Sequence, residues 1–219
     1  MKTSSLATLA AVFLAAGSMI WSTAARAQDA KAGEKKVQMC IGCHNLPGYQ
    51  SSFPEIYKVP KIAGQNAKYI IASLNAYKKG ERKHPSMRGI ATTLSDQDMA
   101  DVAAYYEQLG KAAAAPATVG EPPADIAKLL AKANCESCHG KNFSTPIDPT
   151  YPKLAGQHAD YLYAALKAYQ TDHNPHVGRS NAIMMGMARP YTHAEIKAMA
   201  KYLSSLPGEL KTVELREFR

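Results

Sequence analysis

Cys40-Ile41-Gly42-Cys43-His44 and Cys135-Glu136-Ser137-Cys138-His139 use all four cysteines of the chain and follow each pair with a histidine. Two thiols three residues apart, with an imidazole after the second, form the attachment signature of a c-type haem. Each thiol can form a thioether to a vinyl group of the macrocycle, and the histidine can reach the iron from the proximal side. Cys40, Cys43, Cys135 and Cys138 are therefore candidates for the covalent attachment of two haem c groups, and His44 and His139 for ligation of their irons. Two disulfides would not explain a histidine after each pair. A four-cysteine zinc site normally holds its pairs about 15–20 residues apart, whereas 91 residues separate Cys43 from Cys135.

Haem iron engaged in electron transfer takes a ligand on both faces, and a methionine thioether opposite histidine raises the potential. Met87 is the one methionine in the window between the first motif and the last helix of its half that is not on a helix stripe. In the second half Met184, Met185 and Met187 all qualify. Setting Ser95 on Thr192 places Met87 on Met184, Gly89 on Gly186 and Ala91 on Ala188. Met87 and Met184 are the expected distal ligands, each on a polar loop, with Met185 the alternative for the second site. Rival histidines are His84, His173 and His176, but they do not occupy matching positions in the two halves. Met39, Met99 and Met199 lie on helix stripes and read as core filler. His158 and His193 stand at helix starts and are expected to be exposed. Pro60 and Pro152 can set a backbone carbonyl against the proximal imidazole N–H, the contact that orients a ligand histidine.

The elements that must position these residues form an internal repeat. Pro60-Lys61-Ile62-Ala63-Gly64-Gln65 recurs as Pro152-Lys153-Leu154-Ala155-Gly156-Gln157, and the offset drifts from 92 there to 95 at the cysteine motifs and 97 near the end of each unit. This is duplication of a domain. Each unit opens with a short helix, about 30–39 and 124–133, the latter started by Pro122-Pro123. Apolar residues at i, i+4 and i+8 predict an amphipathic helix over 66–79 and again over 158–170. Ser95-Asp96-Gln97-Asp98 and Thr192-His193-Ala194-Glu195 open the final helices with capping-box chemistry. Met99, Val102, Ala103, Tyr106 and Leu109 form one inward stripe; Ile196, Met199, Ala200, Leu203 and Leu206 form the other. No strand pattern of any length is present, so the chain reads as all-α. The expected division is a signal peptide over 1–27, a first domain over 28–112, a linker over 113–122 marked by Pro116 and Gly120, and a second domain over 123–219. The tail after Pro207-Gly208 is charged and reads as a surface extension.

Lys2, the apolar run from Leu6 to Trp21 and Ala25-Arg26-Ala27 have the order of a secretory signal peptide, with cleavage near Ala27. The run is short of the ~20 residues of a spanning helix. No later segment is apolar enough to span a bilayer, so contact with a membrane would be peripheral. Export agrees with haem attachment, which takes place outside the cytoplasm. Loss of Lys2 and Arg26 lowers the formal charge from +8 to +6, a basic balance suited to an acidic partner surface. The lysines are scattered, with no stripe to match a nucleic acid.

Taken together, the two C-x-x-C-H motifs, the repeated Pro-Lys-[Ile/Leu]-Ala-Gly-Gln segment and Met87-x-Gly89-x-Ala91, with Met87 seven residues before Leu94 and the Ser95-Asp96-Gln97-Asp98 run, resemble the dihaem cytochrome c4 family. The resemblance implies two class I cytochrome c domains in tandem, packed about a pseudo-twofold axis with the haems near the interface. It implies a periplasmic electron carrier, not an enzyme, whose partners are redox proteins such as a terminal oxidase or a quinol-oxidising complex. Tyr191 replaces the expected leucine, and the loop from Thr171 to Ile183 is rich in His and Asn; both bear on the second haem's potential and exposure. Two other readings use the same residues. One is the cytochrome subunit of an enzyme complex such as a sulfide-oxidising flavocytochrome. The other is a dihaem peroxidase, which needs an open iron site and is disfavoured by a methionine at each haem.

Overall fold

The computed structural model describes residues 27–109 and 115–215, so the expected signal peptide, up to residue 26, and residues 110–114 of the segment between the domains lie outside the described residues. The first unit contains α1 (Ala30–Glu34), α2 (Gln38–His44), β1 (Gln50–Ser51), β2 (Tyr57–Lys58), α3 (Ala67–Lys79), β3 (Arg82–Lys83), α4 (Pro85–Thr93) and α5 (Asp96–Leu109). The second contains α6 (Ala124–Lys132), α7 (Glu136–His139), α8 (Ala159–Tyr169), β4 (Gly178–Arg179), α9 (Ala182–Ala188) and α10 (His193–Ser205). The long helices α3, α5, α8 and α10 fall where the apolar periodicity and caps place them, and the strands are two residues each.

Two local expectations change. The first helix is broken after Glu34, and α2 then runs through the cysteine motif to His44. The segments carrying Met87 and Met184 are helices, not loops. Pro85 supplies a preset φ at the start of α4, and the His84 ring nitrogen Nδ1 accepts from the Met87 N–H at 3.4 Å. Asn181 Oδ1 does the same for the Met184 N–H at 3.0 Å. Each helix carries an apolar stripe at helical spacing, Met87, Ile90 and Ala91 in α4 and Met184, Met187 and Ala188 in α9, but the stripe is only about one turn long and reads as a loop in a polar setting.

Each core forms where the last helix of a unit crosses its amphipathic partner. Ile70, Leu74 and Tyr77 of α3 meet Met99, Val102, Ala103 and Tyr106 of α5, with Val37 and Ile41 beside them. Ile196, Met199, Ala200 and Leu203 of α10 meet Leu162, Ile126 and Leu130. Burying a side chain of this size stabilises by roughly 1.5–3 kcal/mol. Met39 does not join the core; it is 52% exposed. His158 is half-buried where exposure was expected, whereas His193 is exposed. Helix α1 lies so close to α5 that a Cβ on Gly33 would sit 2.1 Å from the Asp101 carbonyl oxygen. The contact is tied by the Lys36 ammonium, 2.7 Å from both Asp98 and Asp101.

The two units join about a pseudo-twofold axis. Strand β3 pairs antiparallel with β4, Arg82 opposite Arg179, which are equivalent positions of the repeat. Gln65 takes the Lys153 N–H and gives its amide to the Lys153 carbonyl, both at 3.0 Å. Gln157 does the same to Lys61, at 3.0 and 2.8 Å. Glu55–Lys167 and Lys58–Asp160 ion pairs flank the seam.

The tail is not a free surface extension. The Lys211 N–H donates to the Ala63 carbonyl, Asn45 Nδ2 donates to the Val213 carbonyl at 2.6 Å, and Val213 and Leu215 pack on the first core. The opposite contact is its mate, displaced by 97 residues: Asn142 Nδ2 donates to the Pro116 carbonyl at 2.9 Å, and Val119 packs on the second core. Each unit's last helix therefore sends its extension across the seam to cover the other unit.

Two predictions follow from this packing. Truncation after Leu210 strands the buried Asn45 amide and is expected to cost about 1–3 kcal/mol, read as earlier denaturant unfolding of the first unit. The second concerns acid. Hydrogen bonds from Lys36 and Ser95 hold the Asp98 carboxyl down to about 2, against roughly 3.9 unfolded. The resulting stability is present above about pH 4 and is lost as pH falls toward 2. Asp98→Asn is therefore expected to be less stable than wild type at pH 7 and to converge on it near pH 2, measured by denaturant titration at both values.

Candidate functional site

His44 closes α2 and His139 closes α7. His44 Nδ1 lies 2.9 Å from the Pro60 carbonyl oxygen, and His139 Nδ1 lies 3.1 Å from that of Pro152. A carbonyl only accepts, so each Nδ1 carries the proton and each Nε2 keeps its lone pair. Burial lowers the pKa of both imidazoles, and the proline carbonyls oppose this only in part. Both histidines are thus held neutral, in the tautomer that binds a metal through Nε2. The contacts expected of Pro60 and Pro152 are present in both units.

All four cysteines are free thiols, half-buried. Burial, with Cys43 nearby, pushes Cys40 up to about 11, and burial raises Cys135. Among the described residues no three His, Cys, Asp or Glu side chains gather as a metal site of their own. The zinc alternative therefore has no geometry to rest on.

One cavity of about 510 Å³ is lined from both units. Cys43, His44 and Met87 face it from the first, and Cys135, Cys138, His139 and Met184 from the second. Its walls include Ile70, Leu74, Ile90, Leu162, Leu166 and Leu203, an apolar lining suited to a flat macrocycle. Met184 and Met187 reach it, and Met185 is not among its lining residues. His84 also lines it but is committed to the start of α4, the position Asn181 holds in the second unit. His173 and His176 are exposed in the loop before β4. Tyr191, the residue standing for leucine, is buried in the wall, with its hydroxyl on the Leu129 carbonyl at 2.7 Å.

Residues that the motifs did not reveal sit where the two halves of the cavity meet. Gln65 and Gln157 were visible as repeated letters without a role. Arg82 and Arg179 carried no local signal; only the 97-residue offset, which sets one on the other, singles them out, and Tyr161 stands beside them as the equivalent of Tyr69 at an offset of 92.

The cytochrome c family profile matches residues 30–110 and 124–207, one match for each unit. Cytochrome c4 of Stutzerimonas stutzeri is 34% identical over 194 residues, spanning 82% of this chain and 90% of the relative. The chain belongs to the dihaem cytochrome c4 family. The crystal structure of reduced recombinant cytochrome c4 from Pseudomonas stutzeri superposes with a TM-score of 0.62 at 30% identity, covering 82% of this chain and all of that one. A thiosulfate dehydrogenase electron acceptor of Stutzerimonas stutzeri is 29% identical over 181 residues, 79% of this chain and 81% of the relative. Like other members of the c4 family, the chain consists of two tandem cytochrome c domains, carries two covalently bound haem c groups and is an electron carrier, not an enzyme. The thiols, the neutral imidazoles and the apolar cavity fit that cofactor.

The glutamine clasp generates a symmetric prediction. Gln65→Ala and Gln157→Ala each strand the backbone N–H and carbonyl of a lysine across the seam. Each is expected to cost about 1–3 kcal/mol, by similar amounts, in denaturant unfolding of the holoprotein.

Proposed function

We propose that this cytochrome moves single electrons between redox proteins in the periplasm through two haems with histidine–methionine ligation. Cys40 and Cys43 attach the first haem, and His44 and Met87 ligate its iron. Cys135 and Cys138 attach the second, with His139 and Met184 as its ligands. The observation that carries this reading is the repeated one: in each unit a proline carbonyl fixes the imidazole, and a methionine at the equivalent position lines the same cavity.

When bound, haem iron exchanges one electron, and a thioether opposite histidine favours its reduced form. The chain's own residues supply the rest. The Pro60 and Pro152 carbonyls hold each proximal ring in one orientation. The caps from His84 and Asn181 fix the first turns of α4 and α9 and so hold Met87 and Met184. Leucine, isoleucine and tyrosine walls exclude water. Met39 and Phe53 on one unit, and Ile183 and Met187 on the other, line the cavity while remaining exposed, and give each unit an apolar rim for a partner.

Export rests on the N-terminal sequence pattern; no helix among the described residues is long and apolar enough to cross a membrane. Similarity to a thiosulfate dehydrogenase electron acceptor favours a sulfur-oxidising dehydrogenase as one donor. A quinol-oxidising complex is a second class of donor, and a terminal oxidase is the acceptor at the other end of the chain of transfer.

Ligand replacement tests the assignment. Met87→Ala and Met184→Ala are each expected to remove one haem's share, about half, of the far-red sulfur-to-iron absorption of the oxidised protein and to lower that haem's potential. Met185→Ala is expected to leave both unchanged. Loss of the band in Met185→Ala, or its full retention in Met184→Ala, would move the second ligand to Met185.

A further inference from the structure

Positive charge in the first unit gathers around the helix that bears Met87. Between residues 78 and 95 stand Lys78, Lys79, Arg82, Lys83 and Arg88, against a single acid, Glu81. Arg82 turns inward at the seam and donates Nη2 to the Tyr161 hydroxyl at 2.5 Å, where Arg179 also donates at 3.2 Å. The other four bases lie around α4. Lys78 and Lys79 end α3, and Lys78 Nζ donates to the carbonyl of Leu94, the residue that closes α4, at 2.7 Å. Lys83 stands two residues before α4, with its Nζ on the Asn174 carbonyl at 2.6 Å. Arg88 is exposed on α4 itself. Among the described residues none of these four forms an ion pair with a carboxylate.

The second unit does not repeat this arrangement. The offsets of 92 and 97 set Lys78 on Gln170, Lys79 on Thr171, Lys83 on Ser180 and Arg88 on Met185; Arg82 alone keeps its match. The remaining base there, Arg189, is held by Asp172 at 2.7 Å. Ile183 stands where α4 has Ser86, and Met187 where it has Ile90. One mouth of the cavity is therefore ringed by bases and the other is uncharged and apolar. Ser86, Met87 and Ile90 line the cavity from α4, and Phe53 borders it with its ring 6.5 Å from that of His84. Like charges crowded in this way repel one another and oppose folding, and the same field attracts a surface of opposite sign.

We propose that the basic rim of α4 is the docking port for an acidic one-electron carrier protein, and that the first unit alone has such a port. This deepens the function proposed above and rests on it. A carboxylate-rich face matches Lys78, Lys79, Lys83 and Arg88 in charge, and the exposed Phe53 and Pro85 supply an apolar centre for the contact. One electron crosses in each encounter. The partner and the iron of the first haem change oxidation state by one in opposite senses, and no bond forms or breaks. On α9 the same partner meets Ser180, Ile183 and Met185 and gains no attraction between charges. Screening at physiological salt limits such attraction to about 8 Å, so traffic through the first unit depends on ionic strength and traffic through the second does not.

Two measurements on the holoprotein test this. Hexacyanochromate(III), a paramagnetic and redox-inert trianion, is expected to broaden the amide signals of residues 80–89 in the reduced protein and to spare residues 180–186. Stopped-flow reduction of the oxidised protein by reduced flavodoxin, an acidic one-electron donor, supplies the rate. Its second-order constant is expected to fall about tenfold between about 10 mM and about 0.5 M salt. Lys79→Glu/Arg88→Glu is expected to lower the low-salt constant about tenfold and to meet wild type at high salt. Lys79→Glu alone, outside the helix that bears Met87, is expected to lower it about threefold. Lys197→Glu/Lys201→Glu makes the same change of net charge on the exposed side of α10 and is expected to keep most of the rate. Equal slowing in the two double variants, or broadening shared evenly by α4 and α9, overturns the port. Neither readout uses the far-red absorption that tests the methionine ligands, so the port and the ligation fail separately.

Discussion

The backbone of the Pro-Lys-x-Ala-Gly-Gln segment is the constraint on which the rest of the structure depends. In the first unit its proline carbonyl fixes His44, its lysine is clasped by Gln157, its alanine carbonyl receives the tail, and its Gly64 N–H bonds to the Tyr106 carbonyl at 2.9 Å. In the second unit Gly156 bonds to Leu203 in the same way. Ligand orientation, the seam between units and the seat of the last helix are therefore set by six residues. A shift in this segment would be felt at the motif histidine and at the interface together, because interiors packed at this density do not deform piecemeal.

Duplication gave the chain two copies of each device, and the differences between copies show where the requirement is chemical and where it is only geometric. His84 caps the helix that bears Met87 and Asn181 the one that bears Met184; a side-chain acceptor suffices, so the residue type drifted. Leu94 became Tyr191, which stays in the wall by bonding its hydroxyl to Leu129 and stacking under the Lys132 ammonium at 4.7 Å. The cysteines and histidines of the two motifs, and Met87 with Met184, did not drift, as expected if they bond to the cofactor in the way proposed above.

Much of this was legible before folding. The cysteine–histidine spacing specified the cofactor, and the capping residues placed α5 and α10. These signals are local or are repeated at a fixed interval. What escaped was non-local. Helix α4 has only a short apolar stripe, Met87, Ile90 and Ala91, in a polar surround, and it starts at Pro85 with a side-chain cap from His84. Met39 follows a helical stripe, but the turn that bears it borders the cavity and not the core. The Arg82–Tyr161–Arg179 cluster joins three residues from two units, and no composition or spacing within either one marks it. The tail looked like a solvated charged segment because its apolar anchors, Val213 and Leu215, are only two residues among charges.

The crossed extensions have a consequence for how the protein comes into being. The first unit is synthesised ahead of the second, yet residues 211–215 that cover it are made only after the second unit. Until they arrive, Asn45 lacks its carbonyl and the flank of the first core lies open next to His44. The amino-terminal half thus stays loosely closed until the chain that follows the second unit has folded back over it.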